Sequence, residues 1–190
     1  MENITYKALV VEEEGSRYSR KIKELTTENL LSYGEVLIRV HYSSLNYKDA
    51  LSAIGNKGVT KNYPHTPGID AAGVVTISND ENFRPGDKVI VTGYDLGMNT
   101  PGGFGEYICV PSDWIVKLPE GLTLKESMII GTAGFTAGIS ISRLSELVPP
   151  DIGEIIVSGG TGGVGSMSLS MLAKLGYQTV AITGKTTEKS

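Results

Sequence analysis

The sequence predicts two architectures in succession: a β-barrel-like domain, then the first half of a doubly wound parallel sheet, together an α/β plus β fold class. Three observations predict it. Up to about Pro119 the chain is written in short β runs punctuated by Gly, Pro and Asp. Beyond Pro119 the apolar spacing lengthens to that of helices alternating with short strands. Glycine supplies 24 of 190 residues, roughly 13% against a usual 7%, so parts of the backbone must turn sharply or lie close to something else.

The elements follow in order. Val36, Ile38, Val40 and Tyr42 alternate with Leu37, Arg39 and His41, the pattern of a strand buried more on one face than the other. Ala71–Ser78, Lys88–Thr92 and Glu106–Val110 read as further strands, with Arg84-Pro-Gly-Asp87 as a turn between two of them. Thr123-Leu-Lys-Glu126 has the form of a capping box and predicts a helix start. Glu154–Ser158 is a short apolar strand. Val164, Met167, Met171, Leu172 and Leu175 then share a helical face, Gly176 ends that helix, and Gln178–Thr183 forms a second strand. Strand, glycine turn, helix and strand make a βαβ unit, which requires parallel pairing. A doubly wound sheet usually carries more strands than this, so the chain is expected to be an N-terminal portion of a longer protein or to be completed by another chain. The junction is expected at 121/122, giving domains 1–121 and 122–190.

Charge and composition exclude several classes of partner. Seventeen Lys and Arg against 21 Asp and Glu give a net charge of −4, without the basic field that nucleic acid or an anionic membrane requires. No stretch approaches a membrane span. One cysteine, Cys109, can form no internal disulfide, which suits a cytoplasmic location. Its setting in a β run marks it as a packing residue rather than a nucleophile.

Gly160-Thr-Gly162-Gly-Val-Gly165 satisfies G-x-G-x-x-G between a predicted strand and a predicted helix, the setting in which the pattern signifies dinucleotide binding. Gly160 is expected to make the sharp turn, Gly162 to admit a pyrophosphate, and Gly165 to let helix and strand approach. The helix N-terminus, with Thr161, Gly163 and Val164, supplies the anion site. At the end of the second strand no acid occurs before Glu188, whereas Thr183 and Lys185 are suited to a 2′-phosphate. NADP(H) is therefore favoured as cofactor.

Asn46-Tyr-Lys-Asp49, Pro67-Gly-Ile-Asp-Ala-Ala-Gly-Val-Val75, Gly86-Asp-Lys-Val89, Gly102-Gly-Phe-Gly-Glu-Tyr107 and Gly131-Thr-Ala-Gly-Phe-Thr-Ala137 precede that turn in order. Together they resemble the medium-chain dehydrogenase/reductase superfamily, within it the zinc-independent quinone oxidoreductase group and its YhdH/YhfP type, which includes acrylyl-CoA reductase. The resemblance implies a GroES-like catalytic domain followed by a Rossmann domain. It also implies an NADPH-dependent oxidoreductase that passes hydride to a quinone or to the C=C of a short enoyl thioester, and a homodimer at full length. A dinucleotide-binding redox sensor or structural protein without turnover is the alternative.

In the alcohol-dehydrogenase branch three places hold the catalytic zinc. They match Asn46, Ile69 and Thr132, none of which is a good zinc ligand, so no metal is expected. Without a metal the developing negative charge needs hydrogen-bond donors. Tyr47 is the candidate proton donor, Asn46 the candidate for orienting the nicotinamide ribose or the substrate carbonyl, and Asp49 the residue expected to hold their loop. Capping of a short helix by Asn46, with Asp49 paired to a lysine, is an equal alternative. The resemblance puts Thr132 and Thr136 beside the nicotinamide, although back-bonding to helix carbonyls would explain them equally well. Asp70 is expected to fasten the loop before Ala71.

Overall fold

A computed structural model of the chain describes residues 3–184. The first strands, β1 (Thr5–Glu14) and β2 (Arg17–Thr26), form an antiparallel hairpin turned at Gly15. A five-stranded antiparallel sheet follows, in the order β6-β3-β4-β5-β7. Its members are β3 (Val36–Tyr42), β4 (Asp70–Ser78), β5 (Lys88–Thr92), β6 (Tyr107–Val110) and β7 (Ile115–Lys117). The hairpin is tied to the rest by main-chain bonds from Leu9 to Phe104 at 2.9 Å and between Val11 and His65 at 2.8 and 2.9 Å. The Arg84–Asp87 turn forms as expected, closed by Asp87 N–H on the Arg84 carbonyl at 3.0 Å.

Two apolar clusters cover both faces of this sheet. Val36, Ile38, Val75, Val89, Val91 and Ile108 pack on one side, and Leu37 and Cys109 meet Tyr6, Ala8 and Val10 of the hairpin on the other. In β3, Val36 and Ile38 are buried and Val40 half-buried while Arg39 and His41 are exposed, so one face is the more buried, as expected; Leu37 on the other face is buried as well, and Tyr42 is exposed. The hairpin supplies the second cover, and no local pattern in β3 announces it.

Helix α1 (Tyr47–Ala53) joins β3 to the loop before β4. Helix α2 (Leu124–Leu147) opens with the predicted box: Thr123 N–H and hydroxyl bond the Glu126 carboxylate at 2.9 and 2.7 Å, and Glu126 N–H bonds the Thr123 hydroxyl at 3.2 Å. It is broken at Gly131, which has φ 50° and ψ −162°. A βαβ unit then follows in β8 (Glu154–Ser158), α3 (Gly163–Lys174) and β9 (Gln178–Ile182), with β8 and β9 parallel. Gly176, at φ 87°, follows the last turn of α3 where the sequence places a stop. No helix among the described residues is long and apolar enough to cross a membrane.

The chain divides into two compact units, Met1–Thr132 and Ala133–Ser190. The division lies eleven residues beyond the 121/122 junction read from sequence, because the first part of α2 belongs with the strands. Ser44 donates its hydroxyl to the Met128 carbonyl at 2.8 Å.

Candidate functional site

In the first unit the polar centre is Asp70. It opens β4 and is fully buried, so in an otherwise apolar strand its carboxylate needs several donors. It has three. Asn46 Nδ2 donates to Oδ2 at 2.8 Å, Thr132 N–H to Oδ2 at 3.0 Å, and the Thr132 hydroxyl to Oδ1 at 2.6 Å. The Asp70 carbonyl also accepts the Ser43 hydroxyl at 2.6 Å.

Gly131 lets this cluster close. A Cβ there would lie 2.5 Å from Ser44 Oγ and 3.0 Å from Asp70 Oδ2, and its positive φ disfavours any L side chain. The broken helix restarts at Thr132, whose backbone N–H faces the carboxylate. Asp70 thus satisfies the backbone N–H of the first residue after the break, from another element of the fold.

Asn46 is the N-cap of α1, as the alternative reading held. Asp49 is buried and, among the described residues, pairs with no lysine. Its Oδ2 accepts Asn46 N–H at 2.7 Å, and its Oδ1 accepts Ile69 N–H at 2.9 Å. It therefore fastens the turn carrying Asn46 to the residue before Asp70. Burial pushes the Asp49 carboxyl above the usual carboxylate range, with the nearby Asp70 charge adding to the rise and the two N–H bonds opposing it. Tyr47 is the first residue of α1 and is 80% exposed, so its hydroxyl faces solvent.

The three places matched to zinc ligands carry an amide, an aliphatic chain and a hydroxyl, and two of these are bonded to one carboxylate. That donor set does not suit Zn²⁺. Among the described residues no group of three or more His, Cys, Asp or Glu converges on a common point.

The Asp70 carboxylate is more central than the sequence reading made it. It fastens Asn46 and Thr132 rather than the loop before Ala71. The available signal was one acid opening the apolar run Asp70–Ser78, which demands donors without saying which. Tyr94 was missed altogether. It follows β5 by two residues, has φ 51°, is 63% exposed and stacks on Trp114 with ring centroids 5.3 Å apart. Cys109 is a packing residue: it is buried, its Sγ contacts the Gly34 carbonyl at 3.2 Å, and burial pushes its thiol up to about 11.

In the second unit the glycine turn lies between β8 and α3. The sharp bend falls on Gly159, at φ 65°, one residue before the Gly160 that the motif suggests. Gly160 has another reason to lack a side chain: a Cβ would lie 2.9 Å from that of Ala181 on β9. At Gly165 a Cβ would overlap the Gly159 carbonyl, so the start of α3 lies tight against the turn. Gly162 is the N-cap of α3 and provides no capping side chain. The first N–H groups of the helix, on Gly163, Val164 and Gly165, have no intrahelical acceptor.

At Gly162 a Cβ would have a single neighbour within 4 Å, the Gly159 carbonyl oxygen at 3.3 Å. The turn is therefore a shallow cradle with amide donors at its base, the form that takes a phosphate. Thr161 lies beside it, with its hydroxyl 3.2 Å from that of Thr183. Thr136 is exposed on α2, and its carbonyl accepts the Ser140 hydroxyl at 2.8 Å. Lys185 and Glu188 lie outside the described residues.

Residues 32–120 match the alcohol dehydrogenase GroES-like domain family. The chain is 48% identical over 180 residues to the protein YhfP of Bacillus subtilis (strain 168), covering 94% of this chain and 54% of that protein. It is 43% identical over 183 residues to the acrylyl-CoA reductase AcuI of Ruegeria pomeroyi, covering 95% and 55%.

Among solved structures, the yhdH oxidoreductase of Salmonella enterica in complex with NADP matches with a TM-score of 0.90 at 43% identity, covering 94% of this chain and 55% of that one. Bacillus subtilis yhfP with NAD bound matches with a TM-score of 0.91 at 46% identity, covering 96% and 56%. The chain thus spans about half the length of the curated relatives it matches.

Proposed function

We propose that this chain belongs to the medium-chain dehydrogenase/reductase superfamily, within it to the YhdH/YhfP, acrylyl-CoA reductase-like type, and that it serves an NADPH-dependent reductase of activated C=C bonds or quinones that uses no metal. The observation that carries this reading is the cradle at Gly162, open above the uncapped N-terminus of α3. Backbone amides there hold the coenzyme diphosphate, and the partial positive charge of the helix end favours it. Thr183, with Lys185 beyond it, favours a 2′-phosphate over a bare ribose, since the sequence carries no acid there before Glu188 to accept the 2′-hydroxyl. Both NADP and NAD are named in complexes of the relatives, so this preference is a point for experiment.

When bound, NADPH supplies the hydride. The residues of this chain then have to place the acceptor and stabilise the charge that develops on its oxygen. Asn46 donates to that oxygen or to the nicotinamide ribose, Asp49 keeps its turn in place, and Tyr47 delivers the proton from the solvent side. Thr132, whose hydroxyl donates to Asp70 at 2.6 Å, lies beside the nicotinamide ring. Thr136 serves the same ring. The acceptor is a small quinone or short enoyl thioester, and the full-length protein is a cytoplasmic homodimer.

Calorimetry of NADPH and NADH, with and without Gly162→Ala, tests the cradle. An alanine there meets the Gly159 carbonyl oxygen at 3.3 Å, a tight contact that a shift of a few tenths of an ångström relieves, while NADPH affinity drops at least tenfold. Unchanged affinity would remove the glycine turn as the diphosphate site. An acceptor panel of quinones and acrylyl-CoA on the full-length protein tests the chemistry. Tight NADPH binding without acceptor-dependent oxidation would replace the enzyme by a redox sensor.

A further inference from the structure

We propose that Asp70 is a positioning residue of the reaction: it sets the orientation of the Asn46 carboxamide and so determines which group of Asn46 meets the acceptor's carbonyl oxygen. The proposal rests on the reading of the protein as a reductase, and goes beyond it by assigning a role to a side chain that is fully buried and out of reach of substrate.

A terminal amide presents two nearly isosteric ends, one accepting and one donating. The N-cap position of Asn46 turns its carbonyl end toward the Asp49 backbone N–H, and Asp70 holds the opposite, donating end. Its Oδ2 already takes the Thr132 N–H at 3.0 Å, and the second donor it takes is Asn46 Nδ2 at 2.8 Å. A carboxylate oxygen attracts an N–H and repels a carbonyl oxygen, so the flipped amide is excluded. One Nδ2 hydrogen is thereby engaged, and the geometry of a planar NH₂ fixes the direction of the other.

Asn46 is only half-buried, so that second N–H is within reach of a ligand, as a donor whose direction is set before the ligand arrives. A donor of this kind stabilises an oxygen on which negative charge accumulates without having to reorganise at that moment. It is what an α,β-unsaturated carbonyl needs while its β-carbon is reduced. The acceptor class that Asp70 selects is therefore a conjugated carbonyl, with its oxygen toward Asn46.

The cluster is braced against drift from two directions. Asp49 holds the Asn46 backbone at 2.7 Å and Ile69 N–H at 2.9 Å, and the Ser43 hydroxyl holds the Asp70 carbonyl at 2.6 Å. The angle between Asn46 and Asp70 is thus a property of the fold.

A double-mutant cycle in the full-length protein tests the role, with Asp70→Asn, Asn46→Ala and the pair. Asp70→Asn keeps the shape but gives Asn46 a partner that can satisfy either amide orientation. It should lower kcat for acrylyl-CoA at least tenfold and leave the NADPH dissociation constant within twofold. In the Asn46→Ala background it should have no further effect on kcat. Equal losses in both backgrounds would show that Asp70 acts only through the fold and would overturn the proposal, as would wild-type turnover in Asp70→Asn.

The side-chain amide of Asn46 in ¹⁵N-resolved NMR of the wild type decides the matter even where Asp70→Asn does not fold. Two widely separated proton signals, one slow to exchange, support the hold; a coincident, rapidly exchanging pair overturns it. A wild-type protein with no acceptor-dependent turnover would sink the reductase reading instead, and the amide spectrum distinguishes that failure from this one.

Discussion

The two units differ in how closely one chosen glycine and the apolar strand residues of each are packed. In Met1–Thr132, Gly102 lies against backbone: a Cβ there would stand 2.5 Å from the Pro67 and Gly68 carbonyl oxygens and 2.6 Å from Gly97 Cα. In Ala133–Ser190 a Cβ on Gly162, the N-cap glycine of α3, would meet one atom outside its chain neighbours within 4 Å, the Gly159 carbonyl oxygen at 3.3 Å. Strand burial differs in the same sense. Val36, Leu37 and Ile38 of β3 are at most 1% exposed, whereas Ile156 of β8 and Ile182 of β9 are 65% and 54% exposed. Apolar β-branched residues in a parallel pair are those of a sheet covered on both faces. Beside them a groove of about 600 Å³ is lined by Ile141, Leu144, Ile155, Val157 and Leu172. The first unit is thus closed by its own elements. The second keeps open space beside its turn and bare apolar strand faces, and the first of these features is what a ligand can use.

The contrast predicts unequal costs for the same substitution. Gly102→Ala drives a methyl group into three backbone atoms that cannot rotate away, and should cost more than 4 kcal/mol, in the exceptional range for a point variant. Gly162→Ala should cost under about 1 kcal/mol and register in coenzyme affinity instead. Thermal or urea denaturation of both variants checks this. Similar melting points for the two would mean that the first unit relaxes around its glycines far more easily than its packing implies.

How much of this was legible beforehand follows from the range of the interactions involved. Strands β5 and β8 agree residue for residue with the sequence reading, and β9 and α3 to within a residue at either end, because each is written in its own apolar period and bounded by glycine or a cap. The Thr123–Glu126 box is local and was read directly. What escaped was set by distant partners. The second face of β3 is covered by a hairpin some 25 residues earlier in the chain, and Asp70 finds its donors 24 residues before it and 62 after. The place of the sharp turn, Gly159 rather than Gly160, escaped for a different reason. The fingerprint describes which glycines face ligand and helix, and it leaves open which one carries the positive φ.

Truncating the cores sharpens the comparison at a smaller scale. Ile38 lies in the sheet's main apolar cluster at 1% exposure, and Ile38→Ala should destabilise the first unit by about 2–5 kcal/mol, the transfer cost plus that of the cavity. Ile156→Ala removes the same atoms from a side chain already 65% exposed and should fall within about 0.5 kcal/mol of wild type. Denaturation followed by Trp114 fluorescence, which reports on the first unit, measures the former, and amide exchange along β8 the latter. A cost above about 2 kcal/mol at Ile156 would show that β8 is covered in solution.

Burial in the first unit also has a titration signature. Cys109 lies between sheet and hairpin, and burial raises its thiol from the usual 9.0 to about 11. The sign follows from proton counts. Below pH 9 both the folded and the unfolded protein hold the proton, and the group is neutral toward stability. Between pH 9 and 11 the unfolded chain releases it while the folded chain keeps it, so stability falls as pH rises. Two pKa units correspond to about 2–3 kcal/mol at the upper end of that window. Cys109→Ala should lose this slope and keep whatever Tyr6 contributes, since burial raises that phenol to about 12 in both proteins. Urea denaturation of the pair at pH 8 and at pH 10.5 measures the difference. Parallel curves would mean that the thiol is reached by water in the folded state, and that the hairpin covers β3 and β6 less tightly than the sheet's other face is covered.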